Sequence, residues 1–197
     1  HRERPARSTS EPSPSIVAGP TLGCRTMQSI GPSPARSSPH RMLPSLAPQP
    51  GDHVVHIGVG GGYYTAIIAH LVGPRGRITA IEYDVALAQR ATANLAGAPG
   101  IEVICADGTS HDFDPADGIY VNAGATRPAS RWLDKLKPSG RLVMVLTADN
   151  RWGQILKVQR AGAGCAATLL GPCGIIPCIN GRDATSEAAF AAALAGQ

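Results

Sequence analysis

The first 50 residues contain no Phe, Trp or Tyr, yet they hold ten of the 17 prolines and nine serines. A stretch of this kind cannot bury enough apolar surface to offset the entropy of ordering it. Residues 1–45 are therefore expected to form a disordered or weakly ordered Pro/Ser/Arg-rich segment, with a short helical turn over Arg41–Leu46 leading into Pro48-Gln49-Pro50-Gly51. The chain opens on His1, as expected of a trimmed or partial chain. Lysine is missing from the same stretch. Its six arginines against two acids account for the whole net charge of +4, because residues 51–197 carry 12 basic and 12 acidic side chains. The domain at 46–197 thus lacks the basic footprint of a nucleic-acid partner. No apolar run reaches the ~20 residues that cross a bilayer, and no secretory core follows the N-terminal arginines. No membrane partner and a cytoplasmic location are expected. None of the five cysteines forms a CxxC pair. Cys173 and Cys178 enclose four residues, a loose metal-like spacing without a matching His/Cys pair. Small buried thiols in a reducing compartment, with no metal, are the expectation.

The stretch with most structure in it is Gly51–Asp84. His53–Ile57 is a short, mostly apolar run, as expected of a strand covered on both faces of a parallel sheet. Gly58-Val59-Gly60-Gly61-Gly62 then turns the chain, where the absence of Cβ atoms allows positive φ and close approach of a ligand to the backbone. Tyr64, Ile67, Ile68, Leu71 and Val72 recur at helical spacing, and Gly73-Pro74 ends that helix. Tyr64 is read as core. Arg77–Ile81 is a second strand, with Glu82 at its carboxyl end, 24 residues after Gly58. Ligands of open α/β sheets sit beyond the carboxyl ends of the strands, and a carboxylate there suits the two hydroxyls of a ribose. The unit has the pattern of an adenosine-binding crossover.

The punctuation stays regular afterwards. Asp84 is placed to cap a helix running to about Leu95. Ile101–Cys105 is a third strand ending in Ala106-Asp107-Gly108. Asp117–Asn122 is a fourth. Arg127–Leu136 is helical, and Lys137-Pro138-Ser139-Gly140 turns into a fifth strand over Arg141–Leu146. Strands alternating with helices predict a doubly wound α/β sheet, Rossmann-like and mostly parallel. Trp152–Arg160 and Ala166–Leu170 read as a hairpin-like antiparallel closure of one edge, and Ser186–Leu194 as an Ala-rich terminal helix.

A glycine-rich turn alone is shared by nicotinamide, flavin and S-adenosylmethionine proteins. Glu82, Asp107-Gly108 and the late Lys-Pro-Ser-Gly-Arg-Leu-Val turn and strand sharpen it. Together they resemble class I S-adenosylmethionine-dependent methyltransferases. Leu46–Asp52, Ile57–Tyr63, Ala106–Gly108, Tyr120–Thr126 and Leu136–Val143 narrow the resemblance to protein-L-isoaspartate O-methyltransferases and their close bacterial relatives, over roughly residues 46–160.

The resemblance implies a set of roles. Gly58, Gly60 and Gly62 would pass under the methionine part of S-adenosyl-L-methionine. Glu82 would bind the ribose hydroxyls and Tyr83 would flank the adenine. Asp107 would accept from the adenine amino group, and the Gly108 N–H would meet a ring nitrogen. Asn122 would face the sulfonium end. His56 stands where the family usually has a carboxylate that helps hold the cofactor's ammonium. A neutral imidazole can accept in its place, but an imidazolium would repel, so weaker cofactor binding is expected below pH ~6.5; a buried strand histidine satisfied by its neighbours is the equal alternative. Upstream, where the family shapes its substrate pocket, Ser33 and Ser38 are candidates by position only.

The activity so implied is methyl transfer to a protein carboxylate, the α-carboxylate of an isoaspartyl residue in damaged proteins, in the service of repair. A carboxylate with a reference pKa of about 4 is already anionic and needs no general base; none is identified. Two other readings remain open: a methyltransferase with a small-molecule or RNA acceptor, and a non-catalytic interaction module of the same fold.

Overall fold

The computed structural model describes residues 16–18, 41–148 and 152–195. The first element, β1 (Ile16–Ala18), falls within the Pro-rich segment. Ser33 and Ser38 lie outside the described residues. Helix α1 (Met42–Leu46) follows, and it buries Met42, Leu43 and Leu46.

Strand β2 (His53–Ile57) is buried at every residue, as a strand paired on both edges and covered on both faces must be. Helix α2 (Tyr63–Val72) starts directly from Gly62 and stops at Gly73. Strand β3 (Arg77–Glu82) pairs with β2 in parallel, and α3 (Val85–Asn94) begins where Asp84 accepts the Leu87 N–H at 2.9 Å. That side-chain cap satisfies one of the free amides of the first turn, worth about 1 kcal/mol. Strand β4 (Ile101–Cys105) is only half covered, as suits an edge. The chain then returns past β2 to form β5 (Ala116–Ala125), passes through α4 (Ser130–Asp134), and continues as β6 (Leu136–Thr147), β7 (Trp152–Ala161), β8 (Gly164–Gly174) and α5 (Ala184–Ala195).

The strands form one sheet in the order β1-β8-β7-β6-β5-β2-β3-β4. Strands β4, β3, β2, β5 and β6 are parallel; β7, β8 and β1 add antiparallel pairs at the far edge. The Rossmann-like sheet with an antiparallel edge is as the sequence predicts. Strands β5, β6 and β8 run longer than their apolar patterns, and β6 absorbs the Lys137–Gly140 turn with Ser139 at φ 64.

Alternation along β2 sends Val54 to one core, with α1 and α2, and Val55 and Ile57 to the other, around Phe113 and Trp132. Of the predicted stripe on α2, Ile68 and Val72 are buried and Tyr64 and Ile67 pack against the core, but Leu71 is 40% exposed and Thr65 is fully buried. The Thr65 hydroxyl lies 2.8 Å from His56 Nδ1, which gives this buried polar group a partner. Tyr64 is partly buried and packs against the first core.

Candidate functional site

Successive crossovers run outward from β2 to β3 and β4, then the chain reverses to β5 on the other side of β2. That reversal opens a crevice between the carboxyl ends of β2 and β5, the place where open α/β sheets bind ligands. Gly58 leaves β2 at φ +79, and a Cβ there would come within 3.1 Å of the Asn122 carbonyl oxygen at the facing end of β5. Gly60 stands at φ +58 with nothing within 4 Å of where its Cβ would be. One glycine is required by the neighbouring strand, and the other keeps open space beside a bare backbone. Gly62, at φ +93, closes the turn against Leu95.

Glu82 is buried at the end of β3. Its Oε2 accepts the Gly60 N–H at 2.7 Å, and its Oε1 accepts the Asp84 N–H at 3.0 Å. Each carboxylate oxygen has a second acceptor site, so the side chain can hold the turn and still receive hydroxyls. Tyr83, next to it, is 48% exposed, and Tyr63, across the glycine turn, is 72% exposed.

At the end of β4, Asp107 Oδ1 accepts both the N–H and the hydroxyl of Thr109, at 2.8 and 2.7 Å. Its Oδ2 accepts Asn180 Nδ2 at 3.0 Å. Burial works to raise this carboxyl, but the hydrogen bonds from Thr109, Asn180 and Ser110 win and hold it below its ordinary value. Gly108 has no room for a side chain: a Cβ would sit 2.5 Å from Ile57 Cγ2. Its carbonyl accepts the indole N–H of fully buried Trp132 at 2.7 Å. Asn122 is partly exposed, and its Nδ2 lies 3.4 Å from the Gly58 carbonyl oxygen. Gly58, Gly60, Gly62, Glu82, Tyr83, Asp107, Gly108 and Asn122 all stand at the carboxyl ends of β2, β3, β4 and β5 or in the turns that follow them.

A sequence profile of the protein-L-isoaspartate(D-aspartate) O-methyltransferases matches residues 24–181. The chain belongs to this family. It is 36% identical over 140 residues to protein-L-isoaspartate O-methyltransferase 2 of Archaeoglobus fulgidus, covering 68% of this chain and 64% of that protein. It is 40% identical over 109 residues to protein-L-isoaspartate O-methyltransferase of Aeropyrum pernix, covering 53% of this chain and 42% of that protein. The chain thus spans less than two thirds of the length of either. In fold it is similar to a Plasmodium falciparum structure described as a protein-L-isoaspartate O-methyltransferase in complex with S-adenosyl-L-homocysteine. There the TM-score is 0.62 at 16% identity, covering 77% of this chain and 79% of that one.

Against the family pattern, His56 is the outlier. It is fully buried on β2. Its Nδ1 meets Thr65 Oγ1, and its ring packs edge-on against Tyr120 at 5.2 Å. Burial drives its pKa from 6.5 to about 3. Burial thus favours the neutral imidazole, the form that can accept a hydrogen bond. His56 Nε2 and the nearby Tyr120 hydroxyl are buried without a partner among the described residues.

Sequence reasoning did not find Thr65, Trp132 or Asn180. Thr65 falls off the apolar stripe of its helix. Trp132 reads as core, and its bond to Gly108 spans 24 residues. Asn180 lies 73 residues from Asp107 in a stretch with no periodicity. Cys178, beside it, is buried, and its thiol is pushed up to about 11 by burial and by Asp107. Cys173 is buried as well.

Proposed function

We propose that the chain is an S-adenosyl-L-methionine-dependent O-methyltransferase that acts on protein carboxylates, with the isoaspartyl α-carboxylate of damaged proteins as its acceptor and repair as its purpose. The observation that carries this reading is the bond from the Gly60 amide to the buried Glu82 carboxylate across a turn whose glycines stand at φ +79, +58 and +93. The cofactor fits these residues on physical grounds. Open space over the Gly60 backbone suits the amino-acid part, a buried acceptor at Glu82 suits vicinal hydroxyls, and an acceptor beside an N–H at Asp107 and Gly108 suits an adenine edge.

The bound cofactor supplies an electrophilic methyl group. The chain's own residues bind and orient. Gly58, Gly60 and Gly62 carry the methionine part, Glu82 the ribose, Tyr83 one face of the adenine, Asp107 and Gly108 its edge, and Asn122 the sulfonium end. His56, uncharged and held by Thr65, stands where the family usually has the carboxylate that helps hold the cofactor's ammonium. The acceptor carboxylate is already ionised, so the reaction asks for alignment of oxygen, methyl and sulfur more than for a base. Free Cys105, Cys165, Cys173 and Cys178 accord with a reducing, cytoplasmic setting, and no helix among the described residues is long and apolar enough to cross a membrane.

The test is transfer of a radiolabelled methyl group to an isoaspartyl peptide and to its normal aspartyl counterpart. Base-labile label on the isoaspartyl peptide alone is the expected result. Cofactor binding with no transfer to either peptide would move the chain to another acceptor or to a non-catalytic role.

A further inference from the structure

The segment Ile175–Asp183, between β8 and α5, is laced to the carboxyl end of β5. The Gly124 N–H donates to the Ile176 carbonyl at 2.8 Å, Cys178 N–H to the Gly124 carbonyl at 2.7 Å, and Thr126 N–H to the Gly181 carbonyl at 3.1 Å. Asp183 N–H donates to Thr126 Oγ1 at 2.9 Å. Pro177, paired with Gly124, offers no amide for a further strand, so pairing stops at this strap. Held at these points, the strap carries Asn180 at φ 60, a left-handed conformation that Asn and Asp tolerate better than other residues with side chains. That conformation delivers the Asn180 amide to Asp107 Oδ2, while Thr109 holds Oδ1. Asn180–Asp183 also form one wall of a cavity of about 220 Å³, opposite Thr109 and Trp132, the residues that fix Asp107 and the Gly108 carbonyl.

We propose that Asn180 is a positioning residue for adenosine recognition. It fixes the Asp107 carboxylate from the side opposite Thr109, so the strap between β8 and α5 sets how tightly and how selectively the adenine is held. The inference rests on the reading of Asp107 as acceptor of the adenine amino group. An amide suits the task because it is a neutral donor. It orients the carboxylate without neutralising it, and it leaves Oδ2 a second acceptor site for the ligand. Asn180 has no hydrogen bond to the sheet through its side chain among the described residues, so its amide acts on Asp107 and not on strand pairing.

The experiment is calorimetric titration of S-adenosylhomocysteine and S-inosylhomocysteine, which bears an oxo group in place of the amino group, into the full chain. The variants are Asn180→Gly, which keeps the left-handed backbone, Asn180→Asp and Asp107→Ala, each with its thermal unfolding midpoint recorded. Wild type is expected to prefer the adenine ligand. Asn180→Gly is expected to weaken it about three- to tenfold and to narrow the adenine-to-hypoxanthine ratio by a similar factor, the worth of one oriented hydrogen bond. Asn180→Asp is expected to lose more at pH 7.5 and to recover toward pH 5, as one of two facing carboxylates takes up a proton. Reduced affinity in Asn180→Gly with the ratio kept would make Asn180 a strap residue only and overturn the proposal. So would an unchanged ratio in Asn180→Gly alongside a ratio abolished in Asp107→Ala. An Asp107→Ala protein that binds S-adenosylhomocysteine as wild type does would instead overturn the reading of Asp107 beneath it.

Discussion

The Glu82 carboxylate is tied to the Gly60 amide at 2.7 Å, so the end of β3 holds the turn that leaves β2. One side chain thereby shapes the turn and offers acceptors to the ribose. Glu82→Ala removes that bond and the one to the Asp84 amide, leaving two N–H groups unpaired near the crevice. We expect a loss of about 1–3 kcal/mol in folding stability, the usual worth of hydrogen bonds to a charged group. We also expect a fall of at least about tenfold in affinity for S-adenosylhomocysteine, the value of one lost charge-assisted pair. Urea unfolding and calorimetric titration read the two separately. Wild-type affinity in a folded Glu82→Ala protein would remove the ribose from this residue.

Tyr83 offers a contrast, because it shares the site but not the core. Its ring is 48% exposed and belongs to neither core cluster. Tyr83→Ala should therefore leave the urea midpoint nearly unmoved and weaken S-adenosylhomocysteine about three- to tenfold, the worth of one aromatic face. A stability loss as large as that of a core substitution would contradict the exposed placement.

His56 predicts a pH dependence of stability. Its folded pKa is depressed from 6.5 to about 3 by burial, so below pH 6.5 the unfolded chain takes up a proton that the folded chain refuses. Stability is fully present above pH 6.5 and is lost as pH falls toward 3, with a slope approaching about 1.4 kcal/mol per pH unit. His53, also lowered chiefly by burial, acts in the same direction. Urea unfolding of wild type and His56→Gln at pH 7.5, 6 and 5 isolates the part due to His56. The variant should show the shallower slope, since glutamine can still meet Thr65 and does not titrate. Parallel slopes in the two proteins would place the protonation elsewhere.

What was legible in the sequence is what is local. The Gly58–Gly62 turn, Glu82 and Asp107-Gly108 sit at strand ends, and strand ends are marked by short apolar runs and glycines. Helix α3 carries its own cap in Asp84. The face of α2 was legible at Ile68 and Val72, but the burial of Thr65 was not, because the Thr65–His56 bond joins two elements. Which of the two readings of His56 holds is not legible for the same reason, since its burial depends on Thr65 and Tyr120 from other elements. Asn180 was invisible because its meaning comes from Asp107, on the other side of the crevice.

The last prediction concerns why residue 108 is glycine. A Cβ at that position would sit 2.5 Å from Ile57 Cγ2 and 3.4 Å from Cγ1, both part of a core side chain that cannot swing away. The carbonyl of the same residue is held by the Trp132 indole, so the backbone cannot retreat without breaking that 2.7 Å bond. Gly108→Ala should therefore cost about 1–3 kcal/mol by overpacking and displace the amide next to Asp107. Ile57→Ala alone opens a cavity and should cost about 2–5 kcal/mol. Combined, the two should cost less than the sum of the single changes, because the added methyl enters the space that Ile57 vacates. Urea unfolding of the four proteins measures that coupling. An additive result would mean that residue 108 moves away from Ile57 at no cost, and the packing reason for its glycine would fall.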